Sequence, residues 1–431
     1  MQNTARETEN SNIAKYISEA KGQGTKMKFI DGGVCAAKGF RASGIHVGVK
    51  TSNKEKKDLA LIVADCACSA AAVYTRNVVK AAPLLITKDN LTNGRARVVL
   101  ANSGNANACA PKGEENARRM CLAIANVLGL AESDVIVAST GVIGQELPVE
   151  VIENGVTGLV SKLTYDGSKD VAAAIMTTDL SMKEIAVELV IDGKAVRIGG
   201  VAKGSGMIHP NMGTMLAFLT TDCAISSEMI GKALARATSV SFNRISVDGD
   251  TSTNDMLSLL ANGMAGNGEI TGPGADYETF AGALETLCIE LAKLIAADGE
   301  GATHLITCRV SGAGSEADAE TLSKAVISST LTKAAVFGAD ANWGRVLCAM
   351  GYSGVCFDPD QVNIAFESCA GRIDVCGSGR GLPFDENLAK EILTQHDITI
   401  DIGMGVGAAQ CTCWGCDITY DYIRINGDYR S

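Results

Sequence analysis

Between Tyr277 and Ala297 apolar residues return every three or four positions, at Phe280, Leu284, Leu287, Cys288, Leu291, Leu294 and Ile295. That is the repeat of one helix face, and Gly299 supplies a stop, so the spacing predicts a helix over Tyr277–Ala297. Ser226 or Ser227 stands at the head of another periodic segment and predicts a capped helix through Ala237. The runs Ile185–Ile191 and Ala195–Val201 flank Asp192-Gly193, a pair suited to the two positive-φ positions of a tight hairpin. The segment TMLAFLTT, Thr214–Thr221, is apolar on both alternations and short, which predicts a buried strand. From Phe29 onward such runs alternate irregularly with glycine turns and helical stretches. That order predicts an α+β protein rather than a doubly wound parallel sheet. No Pro/Ser linker marks a domain boundary, no internal repeat is visible, and residues 1–27 read as a polar lead-in.

Composition sharpens this picture. Of 431 residues, 46% are hydrophobic and 20% charged, enough apolar matter for a large core and too little charge for a disordered chain. Aromatics are only 4% while glycines number 47, so the core is expected to be built from small aliphatic side chains. The balance of 38 Lys and Arg against 49 Asp and Glu gives a net charge of −11, which excludes a surface that is basic throughout and built for nucleic acid. The most apolar stretch, Leu59–Tyr74, is broken by Asp65 and is shorter than the roughly 20 residues that cross a bilayer. The first residues lack an apolar export core, and Glu7, Glu9 and Glu19 are foreign to transit peptides, so the expected location is cytoplasmic. The 15 cysteines are expected to be small buried hydrophobes rather than a disulfide framework. In C-T-C-W-G-C, Cys411, Cys413 and Cys416 have neither a second pair at ligand spacing nor a histidine close by, so no metal is expected there.

Two glycine-rich motifs mislead. Gly312, Gly314 and Ala317 fit the outline of a dinucleotide-binding turn, but the strand they would follow is late and internal. In GGVAKGS, Gly199–Ser205, the lysine precedes the last glycine instead of following it, so no phosphate cradle is predicted. The four histidines, His46, His209, His304 and His396, are far apart in sequence and form no zinc motif. The informative segment is KGSGMIHPNMGTMLAFLTTD, Lys203–Asp222, where a flexible loop feeds a hydrophobic strand through Gly213-Thr214. Gly213 has no side chain to hinder a strained carbonyl, and the Thr214 hydroxyl is a nucleophile. Cleavage before Thr214 would free an α-amine with a pKa of about 7.7–8.0, able to take the hydroxyl proton without a histidine. On local features alone, an ordinary Gly-Thr at a strand start explains the same residues.

A resemblance spanning nearly the whole chain decides between these readings. The blocks GGVCAAKGFRASGIHVGVK, KKDLALI, YTRNVVKAAPL, ANSGNANA, STGVIG, IMTTDLSMKE, KGSGMIHPNMGTMLAFLTTD, SFNRISVDGDTSTND, DGEGATHL, FGADANWGR and CDITYDYIRINGDYRS appear in this order. In them the sequence closely resembles the ornithine acetyltransferases, also called bifunctional glutamate N-acetyltransferases, of the cyclic arginine pathway. The resemblance implies a layered fold of the N-terminal-nucleophile type, with stacked β-sheets flanked by helices. It implies a precursor that cleaves itself into chains 1–213 and 214–431, assembled as an α2β2 heterotetramer. It makes Thr214 both the cleaving residue and the acetyl acceptor, and Thr140 and Gly141 the oxyanion pair. Thr177, Lys203, Thr214, Glu300, Asn426 and Ser431 fall at substrate-contacting positions. The expected chemistry moves acetyl from N2-acetylornithine to glutamate by a ping-pong route, without metal or prosthetic group, and acetyl-CoA is an open second donor. Three residues depart from the commonest pattern: His209 for a small residue, Gly213 for Ala, and Ala341 for Pro. The alternatives are a related amidohydrolase or aminopeptidase with the same nucleophile, or a non-enzymatic small-molecule or metal-binding protein.

Overall fold

The computed structural model describes residues 27–50, 55–209 and 215–427. The N-terminal lead-in up to residue 26, Gly213, Thr214 and Ser431 lie outside the described residues. In chain order the strands are β1 Lys28–Ile30, β2 Phe40–Ile45, β3 Leu59–Tyr74, β4 Arg95–Asn105, β5 Val135–Val142, β6 Lys183–Ile191, β7 Lys194–Lys203 and β8 Leu216–Thr221. They continue as β9 Ile245–Ser246, β10 Met256–Ala261, β11 Leu305–Ala313, β12 Asn363–Ser368, β13 Gly371–Gly377, β14 Arg380–Gly381, β15 Asp397–Gly403 and β16 Ala409–Cys416.

These strands form two sheets. The first runs β1-β6-β7-β8-β10-β3-β4-β5 with β2 also paired to β3, and the second runs β14-β13-β12-β15-β11-β16-β9. Parallel pairs (β8 with β10, β4 with β5) sit among antiparallel ones in the first sheet, so the class is α+β. The strands β8 and β10, both downstream of Gly213, fill the middle of a sheet whose other members all come from upstream of it. No single half of the sequence completes this sheet.

The predicted helix is present as Ala275–Ala297, with Phe280, Leu284, Leu287, Leu291 and Ile295 inaccessible to solvent. It packs on β6 and β7 of the first sheet and on β9, β11 and β16 of the second, so one apolar element joins the two. Five such side chains, each contributing about 1.5–3 kcal/mol when buried, explain why this helix carries the most regular pattern in the sequence. Asp192 (φ 49°) and Gly193 (φ 68°) make the expected hairpin between β6 and β7. Ser226 caps the helix Ser227–Val240 by accepting the Met229 N–H, and the helix runs three residues beyond Ala237, where Thr238 Oγ1 donates to the Leu234 carbonyl at 2.7 Å.

Leu59–Tyr74 is one long strand, and its polar break appears as a register shift between Val63 and Cys68. There Asp65 turns outward and accepts hydrogen bonds from Arg41 Nε and the Tyr165 hydroxyl, at 3.0 and 2.8 Å. All cysteines are free, but not all are buried: Cys66, Cys109, Cys348, Cys356 and Cys369 are exposed. Cys66 lies at the β3 irregularity, Cys109, Cys356 and Cys369 lie in connections between elements, and Cys348 is on the helix Trp343–Gly351. Cys411, Cys413 and Cys416 are buried on β16, with Cys413 directly opposite Cys308. Among the described residues no helix is long and apolar enough to cross a membrane.

Candidate active site

A cavity of about 270 Å³ opens where β5, β7, β8 and the residues before β10 converge, lined among others by Thr140, Gly141, Thr177, Lys203, Glu300 and Asn426. These are all the site residues read from the sequence that fall within the described residues. Gly213, Thr214 and Ser431 are outside them, while Ile208 and Met215, which lie before and after residues 210–214 in the chain, both line the cavity.

Thr140 and Gly141 lie near the end of β5, a strand that opens with the buried aliphatics Val135, Ile136, Val137 and Ala138. The parallel pairing of β4 with β5 is irregular here, with Asn105 facing both Thr140 and Val142. Such a bulge turns backbone groups out of the ladder and toward a site. Gly141 has φ 131°, and an added Cβ would stand 2.3 Å from the Gly104 carbonyl carbon, so no other residue fits. Thr140 Oγ1 accepts a hydrogen bond from Lys203 Nζ at 3.4 Å, which leaves its own proton free to donate into the cavity. The Asn254 side-chain amide donates to the Ala106 and Ser139 carbonyls at 2.6 and 2.8 Å and holds this strand end in place.

Behind Lys203 lies a buried charge cluster. Asp179 Oδ1 accepts from Lys183 Nζ (2.8 Å) and the Gly204 N–H (2.7 Å), while Oδ2 accepts the Thr177 N–H (3.0 Å) and stands 4.0 Å from Lys203 Nζ. Lys183 also donates to Asp298 Oδ2 at 2.5 Å. Burial works against the Asp179 anion, but the Lys183 and Lys203 charges outweigh it and hold the carboxyl well below its ordinary range. For Lys203 burial is the larger effect and lowers its affinity for a proton, with Asp179 offsetting part of this. Two cations thus share one fixed anion, and only Lys203 reaches the cavity. Lys203 and Glu300 are 8% and 6% exposed, so neither is the solvated surface charge that an isolated Lys or Glu usually is.

Glu300 also lines the cavity. Its N–H donates to the Ser205 carbonyl (3.1 Å), and its Oε2 accepts from Asn426 Nδ2 (2.7 Å) on the helix Tyr420–Gly427. Gly206 makes room for it: a Cβ there would lie 2.4 Å from the carboxyl group. Asp417 secures the connection by accepting the Thr303 and His304 N–H groups at 2.8 and 3.0 Å and the Thr303 hydroxyl at 2.5 Å. The segment Met207–His209 is equally fixed. Asp248 accepts the Met207 and Ile208 N–H groups at 2.6 and 2.9 Å, and Thr251 Oγ1 donates to the His209 carbonyl at 2.8 Å. Met207 is held at φ 55°, a left-handed conformation that side-chain-bearing residues seldom adopt. Burial pushes the His209 ring down to about 4, so it is neutral around pH 7, and its Nδ1 sits 3.0 Å from Ser246 Oγ.

A sequence profile of the ArgJ family matches residues 41–431. The chain belongs to the ArgJ family. It is 48% identical over 406 residues to the arginine biosynthesis bifunctional protein ArgJ of Symbiobacterium thermophilum, covering 94% of this chain and 100% of that one. It is 42% identical to a solved arginine biosynthesis bifunctional protein of Bacillus halodurans, covering 49% of this chain and 97% of that one with a TM-score of 0.47. It is 38% identical to an ornithine acetyltransferase of Mycobacterium tuberculosis solved with ornithine, covering 43% of this chain and 100% of that one with a TM-score of 0.40. Of the ArgJ-family departures, His209 adjoins the cavity segment, whereas Ala341 lies in the second sheet's core and does not line the cavity. The Gly312-Gly314 turn joins β11 to the helix Glu316–Ser328 and is not on the cavity wall.

Sequence reasoning missed Asp179, Lys183, Asp298, Asn254 and Asp255. Their trace was present as polar and charged residues embedded in the stretches IMTTDLSMKE, TSTND and AADGEG, between apolar elements, but which of them meet is a property of the fold.

Proposed function

We propose that this cavity is the acetyl-transfer centre of an arginine-biosynthesis enzyme that takes N2-acetylornithine as donor and glutamate as acceptor. The supporting observation is the grouping of an oxyanion-type pair, Thr140 and Gly141, with a buried cation, Lys203, and a buried anion, Glu300, on one small cavity beside Met215. In this reading the chain cleaves between Gly213 and Thr214, and the Thr214 α-amine takes the proton from its own hydroxyl. The oxygen attacks the acetyl carbonyl, and the Thr140 hydroxyl and Gly141 N–H stabilise the oxyanion, each donor contributing on the order of 3 kcal/mol in the transition state. Ornithine leaves, and the glutamate amine attacks the acetyl-Thr214 ester to give N-acetylglutamate. Lys203 receives the α-carboxylate common to donor and acceptor, Glu300 receives the side-chain ammonium of ornithine, and Thr177, Asn426 and Ser431 hydrogen-bond polar groups. No metal or prosthetic group takes part, and acetyl-CoA serves at most as an additional donor. Chains 1–213 and 214–431 remain interleaved through the first sheet and pair as an α2β2 assembly in the cytoplasm.

Incubation with N2-acetylornithine and glutamate tests the transfer. The reading expects ornithine and N-acetylglutamate in equal amounts. Release of free acetate with no acetylated glutamate would instead favour an amidohydrolase, in which water takes the acetyl group.

A further inference from the structure

Asp255, the residue before β10, is 2% exposed and lines the cavity beside Thr140, Gly141 and Lys203. Its backbone is fixed: its carbonyl accepts the Thr75 N–H at 3.0 Å, and the next residue donates its N–H to the Met215 carbonyl at 3.0 Å. Since Met256 also pairs with Leu216 in parallel register, Asp255 lies level with Met215, the residue that follows Thr214 in sequence. Its Oδ2 is buried with no hydrogen-bond partner among the described residues. A carboxyl oxygen in that condition is unfavourable unless it is protonated or meets a ligand group. The mechanism above leaves it unused.

We propose that Asp255 carries the proton that passes between the departing and incoming amines, in the acetyl transfer set out under the proposed function on which this inference rests. The proton count requires such a group. An amide nitrogen bears one hydrogen and leaves as an ammonium bearing three, so it gains two protons. One comes from the Thr214 hydroxyl by way of the α-amine, as the Oγ–C bond forms and the C–N bond breaks, and the other comes from the Asp255 carboxyl. In the second half-reaction the glutamate ammonium returns one proton to the Asp255 carboxylate. The freed amine then forms the new C–N bond, the Oγ–C bond breaks, and Oγ takes the second proton. Asp255 is thus restored in each cycle with no net exchange with water. Its surroundings suit a group that holds a proton at rest. Burial is the largest influence and pushes the carboxyl well above the usual range, outweighing the Ser252 and Thr75 hydroxyls beside it and the Lys203 charge, which all act against protonation. Lys203 is itself faced by Asp179 and Glu300, which draw on the same charge.

The test compares wild type with Asp255→Asn, which keeps shape and hydrogen-bonding capacity but holds no transferable proton. Three acetyl donors are used: N2-acetylornithine, N2-acetylnorvaline, which lacks the side-chain ammonium, and p-nitrophenyl acetate, whose leaving group needs no proton. The expected result is a kcat lower by 100-fold or more for both amides with KM nearly unchanged, and a rate within about threefold of wild type for the ester. The fall of the wild-type amide rate as pH rises through the Asp255 titration should also vanish in Asp255→Asn and return in Asp255→Glu. Equal losses for all three donors would make Asp255 structural and overturn the proposal. A loss confined to KM for N2-acetylornithine would make it an ammonium-binding residue and overturn it too, as would failure of both variants to mature. Acetylation of wild-type Thr214 by the ester, read by peptide mass, tests the underlying reading separately.

Discussion

Replacing Asp179 by Asn should unsettle both the fold and the recognition of carboxylate, in a proportion that the geometry fixes. The carboxylate satisfies four groups: the Lys183 ammonium and Gly204 N–H on one oxygen, the Thr177 N–H and Lys203 on the other. An amide keeps a single acceptor oxygen, so its NH2 must face one of those donor pairs. Unit charges 4 Å apart interact by about 4 kcal/mol at an effective dielectric of 20, and removing one partner of a buried pair costs about 3–5 kcal/mol. Because Lys183 retains Asp298 at 2.5 Å, the loss should fall near the lower end, about 3 kcal/mol. Urea unfolding at pH 7 measures it. The pH dependence has a definite sign. The native Asp179 carboxyl is held below its unfolded value, so its stabilisation is present above about pH 4 and is lost as pH falls through the native value; the variant should lose less on acidification. Lys203 meanwhile loses its main anionic neighbour. It binds carboxylate only while protonated, so the rise of KM at alkaline pH should move to lower pH for donor and acceptor alike. A stability change under 0.5 kcal/mol, or an unshifted KM profile, would show that the cluster does not tune Lys203.

Other outcomes follow from single contacts. Thr140→Ala should lower kcat by roughly two to three orders of magnitude with KM nearly constant, because its hydroxyl acts on charge that develops in the transition state; a raised KM at constant kcat would make it a binding residue. Gly206→Ala places a Cβ 2.4 Å from the Glu300 carboxyl and should raise KM for N2-acetylornithine at least tenfold while sparing N2-acetylnorvaline, and Glu300→Gln should act in the same direction; equal effects on both donors would remove Glu300 from the ammonium site. The His209 ring, held neutral by burial, should titrate near 4 in an NMR titration, and cleavage of freshly made precursor should be insensitive to pH between about 6 and 8; a cleavage rate that follows a titration near 6.5 would contradict the burial argument.

What the sequence made legible is local. The helix Ala275–Ala297, the Asp192-Gly193 hairpin and β8 were readable because each is set by periodicity or turn chemistry within about 20 residues. The site was readable only through the resemblance, since Thr140, Lys203 and Glu300 come from three elements far apart in the chain. The pairing of Asp179 with Lys183 spans four positions, yet it occurs where the chain enters β6 and not on a helix, so no helical charge rule would have suggested it. Gly206 and Gly141 look like any loop or turn glycine in the sequence, and their necessity appears only when a Cβ is set against the Glu300 carboxyl and the Gly104 backbone. The exposed cysteines were misjudged because average burial of a residue type says nothing about which copies face solvent.

The central claim is that Thr214 is created as a chain start and then carries the acetyl group. Intact mass of the purified, denatured protein, before and after exposure to N2-acetylornithine without glutamate, addresses it directly. The account predicts two chains with masses for residues 1–213 and 214–431, of which only the second gains one acetyl group, on Thr214, and loses it when glutamate is added. A single full-length chain in protein that turns over substrate, or an acetyl group fixed to any other residue, would contradict it.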